Sequence, residues 1–428
     1  MDFNRIQQPQ FKNIEEINIP IPKQIKLDNG IETFIINAGT QEVLKIDLQF
    51  NAGSWYQEKP LIASTVNEML TEGTKSLTSQ QIAEKLDYYG AFINPQPTKD
   101  YGNISLYTLS KYLPETIKIL EDVVKFPTFP EDELSTFLAK RKQNFEIELE
   151  KVNNIARREF NEQIFSSNHP YGKKANIVDY DNITPGEIIQ FHKNFYNADN
   201  CKIILSGKVD DSVISILNQH FGNNKWNNNS KFVDTKYKIP SRIKKLSIVE
   251  KEDVTQSAIR LGKVTINRDH SDYHNLNIVN TILGGYFGSR LMKNIREDKG
   301  YTYGINSVLV SLKNAGYFVI LSEVGSNVAK EALSDIITEI KKLREETISQ
   351  EELNLVKNYM LGDILRSFDG AFEIASSFKQ IIELGLDMSY FQKEIDAIRS
   401  IRPQEVKDIA NKYLHEDTLA TTVAGKYN

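Results

Sequence analysis

The sequence contains little cysteine and little histidine, and both shortages narrow the possible functions. Cys201 is the only cysteine among 428 residues, so no internal disulfide can form. It lies in the strand-like run 201–205, where a small buried apolar residue is the ordinary interpretation. None of the six histidines precedes His169. The first 168 residues therefore lack the side chain that most often binds zinc.

Long apolar runs and an excess of basic residues are also missing. No segment approaches the length of a membrane-spanning helix, and residues 1–8 lack the apolar core of a secretory signal. We therefore expect a cytoplasmic protein without a membrane partner. The 52 basic and 57 acidic side chains give a formal net charge of −5. Because this balance creates no positive field, we expect no nucleic-acid partner.

The chain repeats one pattern in its two halves. In each half a proline begins an amphipathic helix, which leads through a polar turn to a β-branched strand ending in Gly-Lys. Pro185 and Gly207 correspond to Pro403 and Gly425 at a constant offset of 218 residues, from 403 − 185 and 425 − 207. A repeat of about half the chain predicts two homologous lobes.

The order of patterns within each half indicates the fold class. Strand patterns come first, as in the alternating run 44–50, and helices then dominate. This order favours an α+β fold of two homologous lobes, each an antiparallel sheet with helices packed on one face. We predict an N-terminal extension over residues 1–22, a first lobe over 23–221, a linker over 222–247 and a second lobe over 248–428.

Residues 51–74 carry the first motif with chemical meaning. A strand precedes the segment, and a helix ends it in Met-Leu-Thr-Glu-Gly-Thr. This arrangement resembles the pitrilysin/insulinase-type zinc peptidases, in which the inverted motif H-x-x-E-H precedes a Met-Leu-x-x-Gly-Thr ending. The zinc ligands and the general base of that family fall here on Ser64, Glu68 and Asn67, respectively. Serine is a poor zinc donor and an amide cannot accept a proton. The resemblance therefore implies a relic metal site, without zinc or another cofactor in this chain.

Two other groups of residues bear on metal binding. The family takes a further zinc glutamate from a later helix, for which Glu146, Glu148 and Glu150 are candidates here. Whether one of them binds a hard cation together with Glu68 stays open. His270 and His274 have a spacing that can bind zinc at the start of a predicted helix. No third ligand is evident, so we predict no metal there.

The second motif spans residues 283–305. We predict a helix over 283–299 that ends at Gly300, since glycine commonly terminates helices. A strand should follow over 301–305. Because side chains alternate along a strand, Tyr301 and Tyr303 are expected to share one face.

This segment closely resembles the second-lobe motif of the same family: Gly-Gly, then Ser-Arg-Leu, then an arginine seven residues before a tyrosine. The resemblance implies that Arg296 and Tyr303 contact substrate and stabilise negative charge on the attacked carbonyl. It also implies a substrate-binding role for Gly284 and Gly285.

The resemblance extends over nearly the whole chain after about residue 20, and includes the His-Pro-Tyr-Gly element at 169–172. In heterodimeric bacterial members, a zinc-free subunit completes the active site of a zinc-bearing one. The resemblance therefore implies a subunit inactive alone, whose partner is a homologous zinc-bearing subunit and whose substrates are peptides. A homodimer in the partner's absence stays open.

Two other classes of function are considered. The first is a non-catalytic peptide-binding or scaffold protein of the same fold. The presence of Arg296 and Tyr303 argues against pure scaffolding, which requires neither residue. The second is an independent hydrolase, but the chain has no Gly-x-Ser-x-Gly element and no convincing histidine pairing.

Overall fold

The fold is known from a computed structural model. It describes residue 14 and residues 16–223, 226, 235–240 and 244–427. Most of the predicted extension over 1–22 and half of the predicted linker over 222–247 lie outside the described residues. Within the described residues, no helix is both long and apolar enough to cross a bilayer.

The described chain contains eleven strands and thirteen α-helices. The strands are β1 (Lys23–Lys26), β2 (Glu32–Asn37), β3 (Val43–Phe50), β4 (Phe92–Pro97), β5 (Gly102–Leu109), β6 (Cys201–Gly207), β7 (Leu246–Val249), β8 (Gln256–Thr265), β9 (Thr302–Ser311), β10 (Gly316–Gly325) and β11 (Ala420–Ala424). The α-helices are α1 (Ile62–Glu68), α2 (Ser79–Tyr89), α3 (Leu113–Lys125), α4 (Glu131–Leu149), α5 (Val152–Phe165), α6 (Pro185–Phe195), α7 (Asp211–Leu217), α8 (Tyr273–Asn280), α9 (Ala329–Glu345), α10 (Gln350–Ser367), α11 (Ala371–Ile382), α12 (Ser389–Ser400) and α13 (Pro403–Tyr413). Three π-helical turns cover Asn218–Gly222, Thr281–Gly285 and Met292–Asp298, and 3-10 turns cover Ser54–Tyr56, Met69–Thr71, Ser110–Tyr112, Ile177–Asn182, Ala198–Asn200, Ser326–Val328 and Glu416–Thr418.

The strands form two sheets with the same connectivity. The first has the order β1-β2-β6-β3-β5-β4, and the second has the order β7-β11-β8-β10-β9. Without β1, the two orders correspond strand by strand. Only β2–β6 and β7–β11 pair in parallel, and all other neighbours are antiparallel. The predicted α+β fold of two homologous, mainly antiparallel lobes is confirmed.

The local signals of the repeat produce matching structures. Thr184 caps α6 by accepting a hydrogen bond from the backbone of Glu187, and Pro185 takes the first helical turn. The strand that follows in the first copy ends at Gly207, and Gly425 directly follows the strand of the second copy, with φ of +123° and +121°. Only glycine adopts such angles without strain, which explains why both copies place it there.

Each sheet is also covered by a helix from the other lobe, which the sequence did not reveal. The first lobe's α5 packs against β8 and β11 of the second sheet, and the second lobe's α11 packs against β2 and β6 of the first. Phe378 of α11 meets Phe34 of β2 with 5.0 Å between ring centroids. The exchange gives both sheets two covered faces and joins the lobes through apolar contacts.

Charged groups lie between the lobes beside these apolar contacts. The carboxylate of Asp47 in β3 is 1% exposed and lies 3.0 Å from Lys45 Nζ and 3.6 Å from Lys379 Nζ of α11. At the end of α11, Glu383 Oε1 accepts a hydrogen bond of 2.7 Å from Gln49 Nε2 of β3. Burial raises the pKa of Glu383 to about 7. The lobes therefore meet across titratable groups as well as apolar ones.

Candidate functional site

The relic metal motif lies on α1, one turn of which carries all three residues. Ser64 Oγ donates a hydrogen bond of 3.1 Å to the carbonyl oxygen of Leu61. The Asn67 amide is completely buried and donates to the Asn103 carbonyl and to the Tyr196 hydroxyl, both at 3.0 Å. Asn67 thus links α1 to a strand and to the end of α6. Its hydrogen bonds are structural and leave no basic group at this position.

Arg141 of α4 bridges the first and last positions of the motif. Its Nη1 lies 3.1 Å from Glu68 Oε2 and donates to Ser64 Oγ at 3.5 Å. Burial raises the pKa of the Glu68 carboxyl, and the facing guanidinium opposes that increase. A fixed positive charge therefore lies between the two side chains that correspond to the family's zinc ligands.

These residues do not fit a zinc ion. Ser64 and Asn67 supply no imidazole or carboxylate, and Glu68 is already paired with Arg141. Glu146, Glu148 and Glu150 are exposed, and Glu150 forms an ion pair with Lys251. Among the described residues, no three His, Cys, Asp or Glu side chains are grouped so that they can bind a metal. The structure therefore does not bring Glu68 together with the candidate glutamates in a cation site.

The Gly-Gly segment has a different local structure from the one predicted. Residues 281–285 form a π-helical turn that extends α8, residues 286–289 form a loop, and a new helix begins at Arg290. The prediction of one helix over 283–299 is wrong. A loop over 286–289 separates the end of the first helix from the start of the second. A Cβ on Gly284 would lie 2.7 Å from the Ser307 nitrogen, so close packing against β9 requires glycine there. Gly285 is exposed.

Arg296 lies in the π-helical turn Met292–Asp298 before the predicted stop at Gly300, which has a φ of +65°. Its guanidinium carbon is 4.8 Å from the centroid of the Phe287 ring, a distance typical of a cation–π contact. Phe287 is itself 66% exposed. Among the described residues, no carboxylate lies within ion-pair distance of Arg296, so its charge is available to a bound molecule.

Tyr303 lies at a β-bulge near the start of β9. Thr302 pairs with Val324 and Ile305 pairs with Ser322, so Tyr303 and Gly304 together face one residue of β10. Thr302 Oγ1 stabilises the bulge by accepting from the Gly304 nitrogen at 3.0 Å. The Tyr303 side chain is 94% exposed. Bulges often redirect a side chain next to a functional site, and this one points a phenol into solvent.

The two tyrosines of this segment have different surroundings. Tyr301 packs against the second-lobe core and donates its backbone N–H to the Ile295 carbonyl, whereas Tyr303 is almost wholly exposed. The prediction that they share one face is wrong, because β9 begins at Thr302 and Tyr301 lies before the strand, outside its alternation. Arg296 is half-buried in the helical turn before Gly300, and Tyr303 is exposed near the start of β9.

The other residues singled out from the sequence have structural roles. Tyr171 donates a hydrogen bond of 2.5 Å to Asp100 and accepts one from the backbone of Asn314, which ties the lobes together. His270 precedes α8 and accepts from the Asp272 nitrogen, while His274 packs on Tyr390. Burial lowers the pKa of His274 to about 4. The free thiol of Cys201 is buried.

Sequence reasoning missed two residues of the site. Arg141 is one of many charged side chains on α4, and only its contact with α1 distinguishes it. Phe287 lies in the segment whose resemblance was noted, but a lone aromatic residue there gave no signal.

Comparisons with known proteins identify the family of this chain. Residues 33–173 match the family described as insulinase, peptidase family M16, and residues 182–360 match its companion described as the peptidase M16 inactive domain. A Bacillus subtilis relative named uncharacterized zinc protease YmxG is 23% identical over 407 residues, which cover 92% of this chain and 96% of the relative. A Helicobacter pylori relative named non-peptidase homolog YmxG is 23% identical over 398 residues, 88% of each chain.

A solved structure has the same architecture. The peptidase M16 inactive domain from Pseudomonas fluorescens superposes with a TM-score of 0.86 at 24% sequence identity, covering 95% of this chain and 98% of that one. The fold is therefore the two-lobed architecture of the M16-like peptidases. The chain belongs to the insulinase (M16) peptidase family and resembles its inactive members.

Proposed function

We propose that this chain is a non-catalytic subunit that completes the active site of a homologous, zinc-bearing partner. It supplies Arg296 and Tyr303, whose guanidinium and phenol bind a peptide substrate and stabilise the negative charge that develops on the attacked carbonyl. The zinc and the general base belong to the partner. The substrates are peptides or unfolded segments.

One observation carries this proposal: the Tyr303 side chain is 94% exposed and is held outward by a bulge that hydrogen bonds stabilise. An aromatic ring that contributed to the fold would be buried instead. Arg296 is positioned by Phe287 without neutralisation by a carboxylate of the described chain. The Arg296 guanidinium and the Tyr303 phenol are therefore both available to bind a molecule outside this chain.

The proposal is tested in a complex reconstituted with a homologous subunit that carries an intact H-x-x-E-H motif. We expect Arg296→Ala and Tyr303→Phe each to lower peptide turnover by about ten- to a thousandfold, as when one transition-state donor is lost. Assembly should not change. The measurements are turnover of a fluorogenic peptide and the mass of the complex in solution.

Three variants serve as controls. Tyr301→Phe removes a hydroxyl outside the matched position, and Arg366→Ala removes a charge whose side chain is 71% exposed. Both should retain wild-type turnover. Arg290→Ala breaks a two-bond ion pair with Glu352, at 2.7 and 2.8 Å, and should lower stability. If Arg296→Ala behaves like Arg290→Ala, its role is structural and the catalytic assignment is wrong.

The scaffold alternative has one observation in its favour, the Helicobacter pylori relative that is named a non-peptidase homolog. A scaffold would assemble with its partner and leave turnover insensitive to Arg296 and Tyr303. The same experiment therefore decides between the two functions.

A further inference from the structure

A cavity of about 780 Å³ lies in the first lobe, beside α6 and the start of α1. Its walls include the 3-10 turn Ser54–Tyr56, side chains of the loop over 168–173, and Tyr237, which follows the first lobe in the chain. Sites for small molecules typically measure about 300–1,000 Å³, so this cavity is large enough for one. No residue of the relic metal motif lines it, and neither do Arg296 and Tyr303. The function proposed above therefore does not use this cavity.

Aromatic rings form two groups in the lining. In the first group, the Trp55 ring meets the Tyr237 ring nearly at right angles, with 5.1 Å between centroids. In the second group, the Phe195 ring lies 4.6 Å from that of Phe191 and 5.6 Å from that of Tyr56. Aromatic side chains offer large, rigid apolar surfaces to a ligand. The cavity therefore suits a ring-shaped ligand that has an apolar face.

Two amide side chains of α6 bring hydrogen-bonding groups to the same cavity. Gln190 Nε2 donates to Asn194 Oδ1 at 2.7 Å. No other described residue hydrogen-bonds to either side-chain amide, so Gln190 Oε1 stays free to accept and Asn194 Nδ2 stays free to donate. A ligand that satisfies this pair must therefore both donate and accept.

Two buried polar atoms beside the first aromatic group lack a partner. Trp55 is 5% exposed, and neither its Nε1 nor Ser54 Oγ has a hydrogen-bond partner in the described structure. Buried polar atoms normally have one. Both residues line the cavity, where a ligand that carries an acceptor can complete the bonding of the indole N–H. Polar groups thus occur on more than one wall.

The charges of the lining cancel. It contains two lysines and two glutamates, of which Lys59 and Glu187 form an ion pair. Lys173 Nζ donates to the carbonyl oxygen of Glu58 at 2.9 Å. A phosphate or carboxylate group would be repelled by the two glutamates, and an ammonium group would be repelled by the two lysines. The lining therefore favours a neutral ligand.

We propose that this cavity binds a short neutral saccharide of about two or three units. A sugar ring has an apolar face for the aromatic groups and carries no charge. Each hydroxyl both donates and accepts, as the Gln190–Asn194 pair requires. A nucleoside is also neutral, but its base has hydrogen-bonding groups along its edges in a fixed pattern. Hydroxyls on all sides of a sugar ring better match polar groups that lie on several walls.

The test uses the purified full chain and saturation-transfer NMR, followed by titration calorimetry. The probes are trisaccharides of glucose, galactose, mannose and N-acetylglucosamine, with adenosine and uridine as neutral nucleosides. We expect at least one trisaccharide to bind with a Kd of about 0.1–1 mM and neither nucleoside to bind within about tenfold of it. Failure of all four trisaccharides to bind below about 10 mM, or tighter binding of a nucleoside, would overturn the proposal.

Substitutions on α6 determine whether the bound sugar occupies this cavity. Gln190→Ala combined with Asn194→Ala should weaken binding at least about tenfold, because two hydrogen bonds to the ligand are lost. Tyr237→Ala removes one ring of the first aromatic group and should weaken binding at least about threefold.

The matched control is an amide pair with the same spacing on α10, where Gln350 Nε2 donates to Asn354 Oδ1 at 2.9 Å. Gln350→Ala combined with Asn354→Ala should leave the affinity within about twofold of the wild type. Wild-type affinity in the α6 variant, or equal losses in the two variants, would show that the sugar does not bind in this cavity. Since these measurements use neither a partner subunit nor a peptide, their outcome is independent of the function proposed for Arg296 and Tyr303.

Discussion

At the scale of single residues, Asn67 occupies the position of the family's general base but links three elements of the first lobe. Its amide donates to Asn103 and Tyr196 in a fully buried environment. A carboxylate there would lack these donors and would be costly to bury. Asparagine at position 67 thus lacks the basic group of the family's glutamate and instead provides structural hydrogen bonds.

We predict that Asn67→Leu, which keeps the branching and the number of side-chain heavy atoms but removes both donors, lowers the free energy of unfolding by about 1–3 kcal/mol. The cause is that the Asn103 carbonyl and the Tyr196 hydroxyl each lose a partner in the interior. Urea unfolding followed by circular dichroism measures the change. Asn358→Leu is the control, since Asn358 is exposed on α10. Equal effects of the two substitutions would contradict a structural role for Asn67.

The second residue-scale prediction concerns zinc. Restoring the motif by Ser64→His, Asn67→Glu and Glu68→His should give only weak zinc affinity, because the Arg141 guanidinium stays beside both ligand positions. Adding Arg141→Glu removes that charge and adds a carboxylate, and should tighten zinc binding at least about tenfold. Competition with a chromophoric chelator measures the affinities.

Arg141→Gln on the same triple variant separates the two contributions, since it removes the charge without adding a ligand. Its zinc affinity should lie between those of the triple variant and the variant with Arg141→Glu. Tight zinc binding by the triple variant alone would show that Arg141 is no obstacle.

At the scale of elements, the sequence predicted a helix or strand boundary where the residues that determine it lie close by in the chain. Thr184, Pro185 and Gly207 lie within or beside the helix and strand that they delimit, and their counterparts were recognised at the same offset. The bulge at Tyr303 was not predictable, because it depends on the register of β9 against β10. The pairing of Arg141 with Glu68 likewise joins helices that are distant in sequence.

The packing of α5 and α11 on the opposite lobes was also not predictable from the sequence, because it joins segments that are distant in the chain. Each helix has an apolar face, but nothing in that pattern identifies the sheet that it covers. The candidate site was therefore predicted as a set of residues, Ser64, Asn67, Glu68, Arg296 and Tyr303. The side chains that contact these residues could be identified only from the structure.

The exchanged helices make the lobes depend on one another. Phe378 of α11 is 4% exposed and packs on Phe34 in the first sheet. We predict that Phe378→Ala lowers the free energy of unfolding by about 3–5 kcal/mol through the cavity it creates. Amide exchange should become faster in β2 and β6, although the substitution lies in the second half of the chain.

Phe92→Ala is the control for this substitution, because Phe92 is 54% exposed. Its cost should stay within about 1 kcal/mol. If Phe378→Ala accelerates exchange only in the second lobe, the exchanged helix does not couple the two halves.

At the scale of the whole molecule, the contact between the lobes contains ionisable groups as well as apolar ones. Glu383 lies at the end of α11, accepts a hydrogen bond from Gln49 of the first sheet, and lines an interlobe cavity with Lys313. Burial is the main cause of its raised pKa, Asp100 raises it further, and Lys379 opposes the increase. The stability of the two-lobed arrangement should therefore depend on pH.

The sign of this dependence follows from the pKa of Glu383, which is about 7 in the folded chain against an ordinary value of 4.5. Between these values the folded chain holds a proton that the unfolded chain has released, so the free energy of unfolding falls as pH rises from about 4.5 to about 7.

We predict that Glu383→Gln, which keeps an acceptor for Gln49, flattens this decline and stabilises the chain above pH 7 by at most about 3 kcal/mol. Urea unfolding at a series of pH values measures the difference, and Glu351→Gln, at an exposed position, should follow the wild-type curve. A Glu383→Gln curve parallel to that of the wild type would mean that this carboxyl is ionised throughout the range, and that the charge between the lobes is balanced without it.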